Sequence, residues 1–312
     1  MRALAQPASA RIGVSDGYGT SDEPSWRDLR WKNHLRSVEL GRARIAHVDL
    51  GTGDGPPIVL LHGIGGCWQN WIQNIPRLAR ARRVIALDLP GFGGSTLPRR
   101  PVTLSYYARI VDLLCERLDT GRVVLVGNSM GGMVAAEVAA RFEGRVERLA
   151  LVAPAGVSTG SLRHTLAIGT RLVTLQSRRL QQLVGRFGVG AGEHPLALLV
   201  AQPELLERDL RRAALAPGAA KLGFGLVALN RFVDVGMQRR LFAHLRAIAC
   251  PTLIVWGDED RVNPVADAAV FAELLADSRT VLIDHCGHTP MLERPRAFNR
   301  LLLEFAEGLS RG

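Results

Sequence analysis

The sequence predicts an α/β fold built on a mostly parallel sheet, and three observations carry that expectation. Short apolar runs such as Ile58-Val59-Leu60-Leu61 and Leu253-Ile254-Val255-Trp256 lack polar alternation, as strands covered on both faces do. Segments with helical spacing separate these runs, and such a rhythm closes into a parallel sheet through right-handed crossovers. Several runs exit into glycine-rich turns, the places where open sheets bind ligands.

Composition narrows the class further. A chain of 312 residues with 47% hydrophobic residues is long enough to bury a large core. No apolar stretch is long and clean enough to span a bilayer. Residues 1–10 contain one Arg and no sustained apolar run, so no secretory leader is expected and the cytoplasm is the default location. Cys67, Cys115, Cys250 and Cys286 form no C-x-x-C pair, which suggests buried thiols rather than a disulfide framework or a zinc site. Neither metal nor cofactor is expected. The net charge of +10 raises the question of nucleic acid, yet all but two of the 39 basic residues are arginine, and no basic run is interleaved with aromatics. Nucleic-acid binding is therefore not expected.

In chain order, residues 1–36 are polar and without period, and read as a mobile tail or a strap that Trp26 and Trp31 could pin. Ser37–Leu40 and Ala43–Leu50 form a strand pair across Gly41-Arg42. Ile58–Leu61 is the third strand, Trp68–Arg80 a helix, and Arg83–Leu89 the fourth strand. Leu104–Leu118 is a helix capped by Thr103, Val123–Val126 the fifth strand, Met133–Phe142 a helix, and Val146–Val152 the sixth strand. The rhythm then lapses. From 157 to 235 the chain is leucine-rich and helical in spacing, with ten basic and five acidic residues, and reads as a cap over the sheet with a solvated charged face. Strands resume at Thr252–Trp256, followed by a helix that Asn263 and Pro264 are expected to open, and at Thr280–Ile283. Thr289-Pro290 opens a closing helix that runs to about Leu309. The count is eight strands, with the core in 37–156 and 236–312.

Chemistry concentrates at Gly127-Asn128-Ser129-Met130-Gly131-Gly132, between the fifth strand and its helix. A strand-to-helix turn this tight strains its apical residue and leaves room only for small neighbours, so Ser129 is the candidate nucleophile. The helix N-terminus below it offers free N–H groups. A second glycine-rich exit, His62-Gly63-Ile64-Gly65-Gly66, allows Ile64 N–H to join Met130 N–H as an oxyanion donor. His62 is expected to brace that loop rather than react. The exits near Asp258-Glu259-Asp260 and Asp284-His285-Cys286-Gly287-His288 supply an acid and a base.

The order Ser, Asp, His, with the motifs His62-Gly63-Ile64-Gly65, Gly127-Asn128-Ser129-Met130-Gly131, Gly257-x-x-Asp260-x-x-x-Pro264 and Gly287-His288, resembles the α/β-hydrolase superfamily from about residue 37 to 310. The resemblance implies a mostly parallel eight-stranded sheet with helices on both faces and a helical cap after the sixth strand. It selects Asp260 over Asp258 as the acid, His288 over His285 as the base, and leaves Asp284 and Glu293 as braces. No carboxylate occupies Ala153-Pro154-Ala155, where some members carry the acid. A serine at the elbow argues against dehalogenase and epoxide-hydrolase chemistry, which use aspartate there.

The stretches Trp68–Asn74, Cys286-Gly287-His288 with Glu293, and Phe298-Asn299-Arg300-Leu301 look like the serine carbon–carbon hydrolases that cleave ring-fission dienoates. They implicate Trp68 and Asn70 in substrate binding. Two departures point away: Thr289 stands where that group has an aromatic residue, and Gly65-Gly66-Cys67 where it has Gly-Pro-Gly. The expectation is a hydrolase of small or medium apolar carboxylic esters. A carbon–carbon hydrolase is the alternative, and a non-catalytic binder of the same fold stands behind both.

Overall fold

A computed structural model describes residues 9–13, 17–98, 102–158, 199–214 and 235–309. Its strands are β1 (Ser9–Ile12), β2 (Leu35–Leu40), β3 (Ala43–Leu50), β4 (Ile58–Leu61), β5 (Val84–Leu87), β6 (Val123–Asn128), β7 (Val146–Val152), β8 (Thr252–Gly257) and β9 (Ser278–Ile283). They form one sheet in the order β1-β9-β8-β7-β6-β4-β5-β3-β2. In that order the strands from β1 to β5 are mutually parallel, β3 alone runs opposite to them, and β2, antiparallel to β3 at the far edge, again shares their direction. The order reverses between β6 and β4, so the exits of those two strands face one crevice, as ligand sites of open sheets require.

Helices lie on both faces. They are α1 (Ile75–Ala79), α2 (Leu104–Arg117), α3 (Met130–Arg141), α4 (Arg208–Ala214), α5 (Val235–Ala247), α6 (Asp267–Leu274), α7 (Pro290–Glu293) and α8 (Pro295–Ala306). One apolar layer joins α2, α3, α5 and α6 to Val59, Leu61, Leu125 and Leu151. The other joins α1, α4, α7 and α8 to Ile58, Leu60, Val124 and Val126. Alternate residues of a single strand therefore feed opposite layers, which explains why these strands read as unbroken apolar runs. Each such side chain contributes about 1.5–3 kcal/mol by leaving water. Thr103 caps α2 as expected, its Oγ1 accepting from Tyr106 N–H at 3.1 Å.

Several boundaries differ from the sequence reading. Among the described residues the sheet has nine strands rather than eight, because Ser9–Ile12 of the polar tail pairs parallel with β9, Ile12 opposite Ile283. The expected helix over 68–80 is a 3-10 turn, Trp68–Trp71, followed by the short α1. The closing helix divides at Arg294, since Pro295 cannot continue the hydrogen-bond ladder of α7. Asn263 does not cap a helix: α6 starts at Asp267, and Asn263 Nδ2 instead donates to Ala153 O at 2.9 Å. The expected cap over 157–235 lies largely outside the described residues, which hold of it only residues 157–158, 199–214 and 235. Among the described residues no helix is long and apolar enough to cross a membrane.

Candidate active site

The elbow forms because β6 and α3 meet with one residue between them. Ser129 takes φ 54° and ψ −119°, a region L-residues seldom occupy and one that costs about 1–3 kcal/mol. Neighbouring backbone bonds hold it there: Ser129 N–H donates to Val152 O at 2.9 Å, and Ser129 O accepts from Gly132 N–H at 3.0 Å and Ala155 N–H at 3.2 Å. The crossing is close enough that a Cβ on Gly131 would stand 2.5 Å from Leu61 O and 2.6 Å from His62 O. A Cβ on Gly127 would stand 2.2 Å from Gly131 O. Only glycine fits at either place. Ser129 itself is only 8% exposed.

At the exits of β8 and β9, His288 Nδ1 and Asp260 Oδ2 are 2.8 Å apart, with side chains 3% and 0% exposed. Asp260 Oδ1 accepts from the backbone N–H groups of Val262, at 2.8 Å, and Asn263, at 3.0 Å. That bonding assigns the His288 proton to Nδ1 and leaves Nε2 as the basic atom. The rival carboxylates are engaged elsewhere. Asp258 pairs with Arg11 at 2.6 Å, and Arg11 also pairs with Asp284. His285 is exposed and lies 3.3 Å from Glu259. Glu293 is fully buried among backbone donors.

One contact that the sequence reading passed over ties the base to the elbow. Asn128 Nδ2 donates both to Val152 O and to His288 O, each at 3.1 Å. Its place beside Ser129 in the motif was visible, but only the folded chain brings residue 288 within reach. On the other side, Gly66 N–H donates to Gly63 O at 3.1 Å, closing a turn whose third residue, Gly65, has φ 67°. Ile64 is therefore central in that turn, next to the elbow: a Cβ on Gly63 would stand 3.2 Å from Ser129 Cβ. Met130 opens α3, where a backbone N–H has no carbonyl four residues back within the helix.

His62 braces this loop. Its Nδ1 faces Gly63 O at 2.7 Å and its Nε2 accepts from Leu89 N–H at 3.0 Å. Complete burial lowers its pKa to about 4, so the ring is neutral at physiological pH. The Trp68 ring packs at a tilt against Trp31 with centroids 4.9 Å apart, and the Trp68 backbone N–H donates to Asp88 Oδ1 at 2.7 Å. Asn70 Nδ2 donates to Ala214 O at 2.7 Å, fastening the 3-10 turn to α4. Both side chains are engaged in packing beside the site. Burial raises the Cys67 thiol to about 12 and pushes the Cys286 thiol up as well, and all four cysteines are free. Among the described residues no group of three His, Cys, Asp or Glu side chains is arranged to hold a metal ion.

A serine at a strained strand-to-helix turn, with a buried Asp–His pair at neighbouring strand exits of one parallel sheet, is an arrangement of the α/β-hydrolase type. A family profile described as the alpha/beta hydrolase fold matches residues 56–295, and the chain belongs to that family and is an enzyme. A 2-hydroxy-6-oxo-2,4-heptadienoate hydrolase of Pseudomonas putida is 32% identical over 258 residues, covering 81% of this chain and 90% of that protein. A dihydrolipoyllysine-residue acetyltransferase component of an acetoin cleaving system, also from Pseudomonas putida, is 30% identical over 273 residues, covering 86% of this chain and 68% of that protein. A crystal structure of a membrane phospholipase A, described as a bacterial virulence factor, superimposes with a TM-score of 0.72 at 30% identity, covering 89% of this chain and 87% of that one.

Proposed function

We propose that this enzyme hydrolyses carboxylic esters of small or medium apolar acyl groups through an acyl-enzyme on Ser129. The observation that carries the reading is the buried Asp260–His288 pair, 2.8 Å apart, whose histidine loop is bonded to the elbow through Asn128. In the proposed cycle His288 Nε2 takes the Ser129 proton as Oγ attacks the ester carbonyl. Asp260 holds the tautomer and offsets the imidazolium charge. Ile64 N–H and Met130 N–H donate to the oxyanion. The imidazolium returns its proton to the leaving alcohol, and a water activated by the same nitrogen releases the acid. The segment 157–235 is proposed to cover the acyl pocket, and no cofactor, metal or nucleic acid enters the cycle. The test is Ser129→Ala, which is expected to lower kcat on p-nitrophenyl esters by about 10⁶ with the fold intact. Retained turnover would overturn the reading.

A second reading, cleavage of a carbon–carbon bond in a ring-fission dienoate, is favoured by the 32% identity to the Pseudomonas putida heptadienoate hydrolase. The same serine and histidine would serve it. Measuring kcat/KM on a vinylogous dienoate beside short and long esters separates the two: a dienoate preference of more than about tenfold, roughly 1.4 kcal/mol, would select the second.

A further inference from the structure

The histidine loop is held by a carboxylate that the proposed cycle does not use. Glu293 Oε1 accepts from Thr289 N–H at 2.9 Å and Thr289 Oγ1 at 3.1 Å. Its Oε2 accepts from Gly287 N–H at 2.7 Å, Ala201 N–H at 2.8 Å and Tyr18 Oη at 2.7 Å. Gly287 and Thr289 flank His288, whose own N–H donates to Leu199 O at 3.0 Å. Three consecutive amides are thereby fixed, two of them on one carboxylate.

The fifth donor comes from far away in sequence. Tyr18 Oη gives its proton to Glu293 and accepts from Gln202 N–H at 2.9 Å, while Gly19 N–H donates to Glu293 O at 2.8 Å. The Arg294 guanidinium lies 4.9 Å from the Tyr18 ring centroid and donates to His285 O at 3.2 Å. Burial, then the neighbouring carboxylate, pushes the phenol pKa up, so Tyr18 stays a donor across the working range. We propose that Tyr18, brought in by the N-terminal segment, is a positioning residue for His288, acting through Glu293. Without its O–H, Oε2 keeps two of three donors, Gln202 N–H loses its acceptor, and the carboxylate is free to shift with the loop it carries. This inference rests on His288 being the general base.

The test uses p-nitrophenyl diethyl phosphate, in which Ser129 Oγ forms a bond to phosphorus, the phosphorus–oxygen bond to the p-nitrophenoxy group breaks, His288 takes the serine proton, and one p-nitrophenolate leaves per site. The amplitude counts competent sites and the rate constant reports chemistry per site. For Tyr18→Phe the expected result is a per-site rate lowered by about tenfold, below the ~100-fold that a full 1 Å misplacement costs, with an amplitude near one per chain. Arg27→Ala breaks a different contact of the same segment, the pair with Glu207, and is expected to leave the per-site rate unchanged. A Tyr18→Phe enzyme with reduced amplitude or melting temperature but an unchanged per-site rate would show a merely structural role and overturn the proposal. So would equal slowing in both variants. A persistent burst in Ser129→Ala would instead defeat the reading of the site itself, whatever Tyr18 does.

Discussion

Replacing Asp260 by asparagine isolates the role assigned to its carboxylate. In the native site Oδ1 faces two backbone donors, Val262 N–H and Asn263 N–H, and Oδ2 faces one ring nitrogen. Asparagine has one oxygen, and the two backbone donors claim it, which turns the NH₂ toward His288. A donor facing Nδ1 moves the ring proton to Nε2, the atom that must act as base. The expected loss in kcat is about 10⁴, as in other Ser-His-Asp enzymes, or roughly 5 kcal/mol of transition-state stabilisation. The comparison is Asp258→Asn, which gives up an ion pair to the mostly exposed Arg11 and is expected to change kcat by less than about threefold. Steady-state kinetics on a p-nitrophenyl ester, with melting temperatures as a control, decide the matter. Equal losses in two well-folded variants would refute the assignment.

Other expectations follow from the same geometry. Gly131→Ala places a methyl 2.5 Å from Leu61 O, so it is expected to destabilise the fold by about 1–3 kcal/mol and to slow turnover by displacing Ser129; an unchanged melting temperature would contradict the crossing described. Asn70→Ala removes the bond to Ala214 O and is expected to cost about 1–3 kcal/mol in denaturant melts; a shifted acyl preference beside that loss would show that Asn70 also contacts substrate, and an unchanged one would confine it to packing. His62 has a folded pKa of about 4 against about 6.5 unfolded, so the unfolded chain binds the extra proton between those values. Its contribution is present above about pH 6.5 and is lost as pH falls toward 4, an order of 3 kcal/mol. A His62→Gln variant should therefore show a shallower decline of stability over that window than the parent, and parallel curves would contradict a neutral buried ring.

The sequence carried the site further than it carried the secondary structure around it. Gly127, Gly131 and Ser129 announce a crossing that few other residues tolerate, and the close approach of Gly131 to Leu61 O gives the reason. His62 could be assigned as a brace because a glycine-rich exit needs a partner for its backbone groups. β1 was not legible, since Ser9–Ile12 has too few apolar residues to show a period and owes its existence to a partner about 270 positions away. Asn263 and Pro264 carry the local signature of a helix start, yet tertiary bonds to Ala153 O and from Trp256 Nε1 claim Asn263 for the loop. Glu293 could be expected as a brace, since it lies six residues from Gly287, but the bonds of Asn128 and Tyr18 to the histidine loop and its carboxylate exist only once distant parts of the chain converge.

The most direct measurement is the site of covalent capture. After reaction with p-nitrophenyl diethyl phosphate and proteolysis, peptide mass spectrometry is predicted to find one diethylphosphoryl group per chain, on Ser129, with ester turnover lost in proportion. An enzyme that keeps its ester turnover unmodified, or one inactivated by a group on another residue, would contradict the account.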